Sequence, residues 1–427
     1  MQKIILFLFH LIFTYTVIST AQPAAPVYFK GAIKEKKIIL QRNIVQNTIT
    51  KNLSYPLNDD TEEYWMDAFG GMELLQYKSP WADGRISIAF DSIEKRSLVF
   101  QRALLELAYT NYPNRFSKQV TSLLNNCTDA KVFAMSAEYL LLNNKNPLAG
   151  INLENKKRQL EKSDKENAIL SQLLFRIQNP APQGNSNAIS AIIGQDFLQN
   201  QRILYSFQRK NRSYPGLAII RDSTGNFTRD ENGIIFSVPQ LARSISNLPG
   251  YLTNGNTPQG IFRMHGFDSS RTTFIGPTAN IQLTMPFETS LQHFFNDSTI
   301  TDSIWTEDWY KKLLTPSLTN YSPLYESFYA GKAGRTEIIA HGTTVDPEYY
   351  AGELYYPQTP TMGCLCTKEI WSEVDGKRLA SDQQKLVTAL QMAGGANGYC
   401  VVIEIDDEQK PVTLPEILSL LKQVTKK

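Results

Sequence analysis

Apolar residues recur at helical spacing between residues 80 and 145. Phe100, Ala103, Leu104, Leu107 and Ala108 form one face, and Phe116, Val120, Leu123 and Leu124 form another. A third comprises Phe133, Ala137, Leu140 and Leu141, flanked by Val132, Met135 and Tyr139, with Thr128-Asp129 as its start signal. Ala168–Ile177 continues the pattern, and a further helix is expected around Ala188–Gln201. Between them Glu154–Lys165 is highly charged and reads as a solvated helix face or linker, and Asn179-Pro180-Ala181-Pro182-Gln183-Gly184 breaks the chain. From Gln22 to Asp60 there is little periodicity. Successive amphipathic helices with short connections predict a helical bundle or array without a fixed repeat.

The pattern then changes to short β-type runs bounded by turns: Leu217–Arg221, Gly233–Ser237, Gly260–Met264, Ile281–Met285, Glu337–Ala340 and Gly398–Asp406. Asp302–Leu314, holding Trp305 and Trp309, reads as helical. Ser381-Asp382-Gln383-Gln384 reads as a capping box opening a helix that ends near Gly394. This succession predicts a mostly antiparallel β-sandwich or barrel-like core decorated with helices. The expected organisation is α+β in two domains: an α-helical domain over 22–205 and a β-rich domain over 206–427. Trp65 and Trp81 suit either sugar stacking or core packing. The helical half suits either docking to cell wall or partners, or packing on the β-rich domain.

Composition narrows the setting. Residues 1–21 combine Lys3, an apolar run and Ser19-Thr20-Ala21, the pattern of a secretory signal peptide. The expected location is periplasmic or secreted, with a membrane role only if the leader stays uncleaved. A net charge of +2 over 427 residues gives no reason to invoke nucleic acid. Four cysteines, Cys127, Cys364, Cys366 and Cys400, are too few for a disulfide scaffold.

Candidate chemistry concentrates in Ile338-Ile339-Ala340-His341-Gly342-Thr343 and Pro360-Thr361-Met362-Gly363-Cys364-Leu365-Cys366-Thr367. The first reads as a strand ending in an imidazole and the second as a glycine-flexed turn presenting a thiol. An imidazole beside a thiol takes its proton and leaves a thiolate nucleophile. Gly363 allows a close backbone approach, so amide N–H groups near Gly363 and Cys364 suit a developing oxyanion. Outside the leader the other histidines are His265 and His293.

His341-Gly342-Thr343 followed by Thr361-Met362-Gly363-Cys364-Leu365 resembles the signature of L,D-transpeptidases, cysteine enzymes that cross-link peptidoglycan. Asn256-Thr257-Pro258-Gln259-Gly260-Ile261-Phe262-Arg263 resembles the family's Thr-Pro-x-Gly-x-Phe segment. The resemblance covers roughly residues 212–410. It implies a β-sandwich catalytic domain, peptidoglycan stem peptides as substrates, carbapenem-type inhibitors and no cofactor or metal. It also implies Cys364 as nucleophile, His341 as base, and a main-chain carbonyl at Gly342 or Thr343 that orients the imidazole. Gly342 and Gly363 complete the catalytic set. Thr343, Thr361, Met362, Leu365, Cys366, Arg263 and Tyr356 are the expected substrate contacts. Two positions depart from the family pattern: Met362 stands where it has His, and Cys366 where it has Arg or Asn.

Cationic candidates for stem carboxylates are Arg263, Arg271, Lys332, Arg335 and Lys368. Tyr325, Tyr349, Tyr350, Tyr355 and Tyr356 surround the His-to-Cys loop as lid or core, and Glu288 and Glu337 suit support of the site or ordinary satisfied polar positions. The competing readings are a catalytically lapsed wall-binding module that keeps the fold, and a zinc site built from His341, Cys364 and Cys366.

Overall fold

A computed structural model describes residues 26–143, 146–161, 167–178 and 186–424. The leader, the 179–184 break and the end of the charged 154–165 stretch lie outside the described residues.

The predicted helices form at Leu98–Asn111, Ser117–Asn126, Ala130–Leu141 and Ala168–Gln178. The Asp129 carboxylate accepts from the amides of Lys131 and Val132, satisfying donors that the first turn leaves unpaired. Leu153–Leu160 is helical within the charged stretch. Helices also form at Glu62–Leu74 and Pro80–Asp91, and a helical run covers Lys34–Ser54. The start of that run escapes sequence reading because Lys34–Asn43 buries no residue and so carries no apolar stripe. These helices share one core that includes Trp65, Phe69, Phe100 and Phe133. Trp65 is fully buried, whereas Trp81 is exposed.

The second half is built on ten strands: β1 (Arg202–Arg209), β2 (Gly216–Arg221), β3 (Val238–Gln240), β4 (Gly260–Asp268), β5 (Asn280–Thr284), β6 (Ile339–His341), β7 (Leu365–Cys366), β8 (Glu369–Trp371), β9 (Arg378–Ser381) and β10 (Asn397–Asp406). Eight form a mixed sheet in the order β3-β2-β1-β10-β4-β5-β6-β7, and β8-β9 is a separate ribbon. The β1–β10 and β6–β7 pairs are parallel and the others antiparallel.

The fold is α+β, but the expected sandwich is corrected. One large sheet curls until its ends nearly meet, the barrel-like alternative. Just beyond β3, Leu241 exchanges two main-chain hydrogen bonds of 2.8 Å with Cys366 of β7, and Ile245 N–H donates to Thr361 O at 2.8 Å. Edge groups that would otherwise be buried without partners are satisfied by this seam.

Three further expectations shift. Gly233–Ser237 is not a strand: Asp230 Oδ1 accepts from the amides of Asn232 and Ile234, holding a turn, and the strand starts at Val238. The helix predicted over Asp302–Leu314 contracts to Glu307–Lys311, begun by the Thr306 cap. Strand β1 was not expected because buried Ser206, Gln208 and Arg209 disguise it. Ser206 Oγ donates to Gln240 Oε1 at 2.7 Å, and Arg209 bonds Asp406 and Glu416 through both ends of its fork.

Apolar cores line both faces of the sheet. The helix Ser186–Ile193 packs into one, and Leu386 and Leu390 of the helix Asp382–Met392 into the other. The halves meet at the loop between β3 and β4, where Leu248, Tyr251 and Leu252 belong to the helical core. Tyr251 OH donates to Glu138 Oε1 at 2.8 Å, and Asn254 Nδ2 donates to Glu106 Oε2 at 3.2 Å.

Leu252 is fully buried in that junction. Leu252→Ala is expected to lower the unfolding free energy by about 2–5 kcal/mol, read from urea denaturation. A change below about 0.5 kcal/mol, the range of ordinary surface substitutions, would show that the junction is not tightly packed.

Candidate active site

Strand β6 delivers His341 to the seam. Its carbonyl accepts from Thr367 N–H at 3.0 Å, and Gln383 Nε2 donates to Ala340 O at 3.0 Å. The parallel register pairs Ala340 with Leu365 and His341 with Cys366. Ala340 and Leu365 both lie in the core under the Asp382–Met392 helix. Alternation therefore places His341 on the opposite face, with Cys364 two positions before its partner. The sequence-predicted imidazole and thiol are thus carried by adjacent segments.

His341 is buried, and its Nδ1 bonds the carbonyl of Gly342. A carbonyl only accepts, so Nδ1 carries the proton and Nε2 keeps its lone pair. Burial pushes the imidazole down from 6.5 to about 4, against the raising effect of that carbonyl. Gly342 has no room for a side chain, because a methyl there would collide with the Glu369 carboxylate. Glu369 Oε1 in turn accepts from Thr278 Oγ1 and Ser381 Oγ, both at 2.5 Å. Trp371 Nε1 donates to Thr343 O at 2.9 Å, so the main chain after His341 is held on two sides.

The thiol turn is held by hydrogen bonds at Thr361, Gly363 and Cys364. Thr361 Oγ1 accepts from Gly363 N–H and donates to Cys364 O, both at 3.0 Å. Thr257 Oγ1 donates to Gly363 O at 2.8 Å, joining the second motif to the first. Gly363 has φ +116°, and any methyl on it would collide with Arg335 Nη2 and Gly255 O. The Gly363 amide is therefore engaged, and among the described residues the Cys364 amide is the one in this pair that has no hydrogen-bond partner.

Cys364 is half-buried, while Cys127, Cys366 and Cys400 are buried, and all four are free thiols. The Cys364 Sγ donates its hydrogen bond to Glu337 O at 3.6 Å and not to His341. Burial raises its pKa, opposed by the Ile339 main chain and the Arg335 charge, with Glu337 and Glu288 adding to the rise. Glu288 itself accepts from the amides of Met285 and Glu337, so both glutamates shape the thiol's surroundings.

The remaining predicted residues separate into three groups. Met362 and Tyr356 are exposed beside the turn, and Tyr356 OH donates to Glu348 Oε1. Thr343, Leu365 and Cys366 are buried. Thr343 Oγ1 is bonded to Thr359 Oγ1 and Val345 N–H, and burial drives the Cys366 thiol up to about 12. These three shape the turn instead of lining an open surface. Arg263 is buried on β4 against Tyr399 and Asn397 rather than beside the thiol. Tyr350 and Tyr355 pack with Leu241 in a small core. Sequence reasoning missed Glu369, Gln383, Trp371 and the clasp made by Thr257, since no pattern marks residues that meet across the sheet. Among the described residues no three His, Cys, Asp or Glu side chains come together to hold a metal ion.

Compared with known proteins, the chain matches no family model, no curated protein and no solved structure.

The depressed His341 pKa fixes a sign. An unfolded imidazole protonates near 6.5 and the folded one near 4, so stability is complete above 6.5 and declines as pH falls to about 4. The expected loss is about 3 kcal/mol across that window. His341→Gln should lack this segment of acid sensitivity, measured by urea midpoints of both proteins at pH 7 and at about pH 4.5. Equal acid loss in both proteins would contradict it.

Proposed function

We propose that this chain is an L,D-transpeptidase-like cysteine acyltransferase acting on peptidoglycan stem peptides outside the cytoplasm, with a helical domain and a catalytic domain. The observation that carries the reading is the β6–β7 pairing: it carries His341, whose Nδ1 proton leaves Nε2 able to accept, on the strand next to the turn that holds the half-buried Cys364. The resemblance of the two motifs supplies the substrate class. The leader pattern fits a wall enzyme.

Both groups are neutral at rest, because burial disfavours thiolate and imidazolium alike. His341 Nε2 takes the thiol proton as Sγ forms its bond to the donor amide carbonyl. The oxygen becomes an oxyanion facing the Cys364 N–H, a donor contribution of about 3 kcal/mol in comparable sites. Collapse breaks the C–N bond, the imidazolium protonates the leaving amine, and a thioester remains. An acceptor amine then displaces the thiolate to form a cross-link, or water does so and the outcome is hydrolysis. Thr361 and Thr257 hold the turn through both steps.

The hydrogen bond from Cys364 Sγ to Glu337 O favours a second reading, a lapsed wall-binding module. Intact-mass spectrometry with a carbapenem separates the two. The parent protein is expected to gain one covalent adduct and Cys364→Ala none, with acylation slowed about 10²–10⁴-fold in His341→Gln. No adduct on the folded parent favours the lapsed module, and an adduct on Cys364→Ala removes the nucleophile assignment.

A further inference from the structure

Arg335 lies four residues before β6 and is buried at the thiol turn. Its Nη1 donates to Gly250 O and, at 2.6 Å, to Asn256 O, and its Nη2 donates to Gly255 O. The same Nη2 occupies the space that a side chain on Gly363 would fill. Among the described residues no carboxylate pairs with this guanidinium. A buried cation held by neutral carbonyls alone is costly and gains most from a nearby anion. The cysteine next to Gly363 can become that anion by losing a proton.

We propose that Arg335 is the positioning cation of the site: it stabilises the Cys364 thiolate through space while tying the 250–256 loop to the nucleophile turn. This rests on the reading of Cys364 as nucleophile and names a group the motif itself does not contain. The charge interaction runs both ways. Cys364 opposes the burial that brings the Arg335 pKa down to about 10, and Arg335 opposes the burial that raises the thiol. Among the described residues no cation opposes the burial of Cys366, which is pushed to about 12.

The test is the pH dependence of Cys364 alkylation by iodoacetamide, followed by peptide mass spectrometry on the full chain. Arg335→Gln is expected to raise the midpoint by about one unit or more, while Arg335→Lys, which keeps the charge, stays close to the parent. Thr257→Val cuts the tie to the Gly363 carbonyl without touching charge, so it separates the two roles. An unchanged midpoint in Thr257→Val supports the charge role, and a rise equal to that of Arg335→Gln overturns it in favour of a clasp alone. An unchanged midpoint in folded Arg335→Gln also overturns it. If Arg335→Gln does not fold, Arg335→Lys decides: a parent-like midpoint supports the proposal and a rise of about one unit or more overturns it. Alkylation needs no wall substrate. A shifted midpoint without carbapenem acylation would keep Arg335 and discard the acyltransferase reading.

Discussion

The main-chain seam between the ends of the sheet is the constraint on which the rest depends. Leu241 and Cys366, both buried, exchange paired hydrogen bonds, and Ile245 bonds Thr361, so both edges are satisfied. An unpaired buried peptide group costs about 1–3 kcal/mol, and the seam avoids several such penalties. It has a local result as well. Thr361 and Cys366 bridge the segment after β3, and Leu365 and Cys366 pair with β6, so the thiol turn is anchored at both ends.

Within that frame the energetics are a contest between desolvation and paired charge. Burial neutralises His341, raises both motif thiols and weakens the Arg335 cation. Cys364 and Cys366 differ through their neighbours: one faces a guanidinium, the other Thr359 and the Thr367 carbonyl. Two thiols one residue apart thus occupy unlike electrostatic environments. Low local dielectric strengthens the difference.

The sequence was most legible where one element decides its own structure. The apolar stripe of Leu98–Asn111, the Asp129 cap and the long β10 run each carry a local signal, and the structure has all three. Strand β1 was hidden because Ser206, Gln208 and Arg209 look exposed until Gln240, Asp406 and Glu416 are brought to them. The sandwich expectation failed for a related reason, since strand alternation reports which face is buried and not whether the sheet curls onto itself. In the site, the two chemical side chains stood out by type. Thr257, Gln383 and Glu369 did not, because their roles arise from contacts spanning long stretches of chain.

The insertion of Leu248, Tyr251 and Leu252 into the helical core has an evolutionary corollary. Glu138 grips Tyr251 and Glu106 grips Asn254, while the carbonyls of Gly250, Gly255 and Asn256 in the same loop grip Arg335. A substitution in the helices is therefore heard at the cysteine turn through a loop that touches both. The two halves are epistatic: each limits which mutations the other tolerates, and neither drifts freely while the loop joins them.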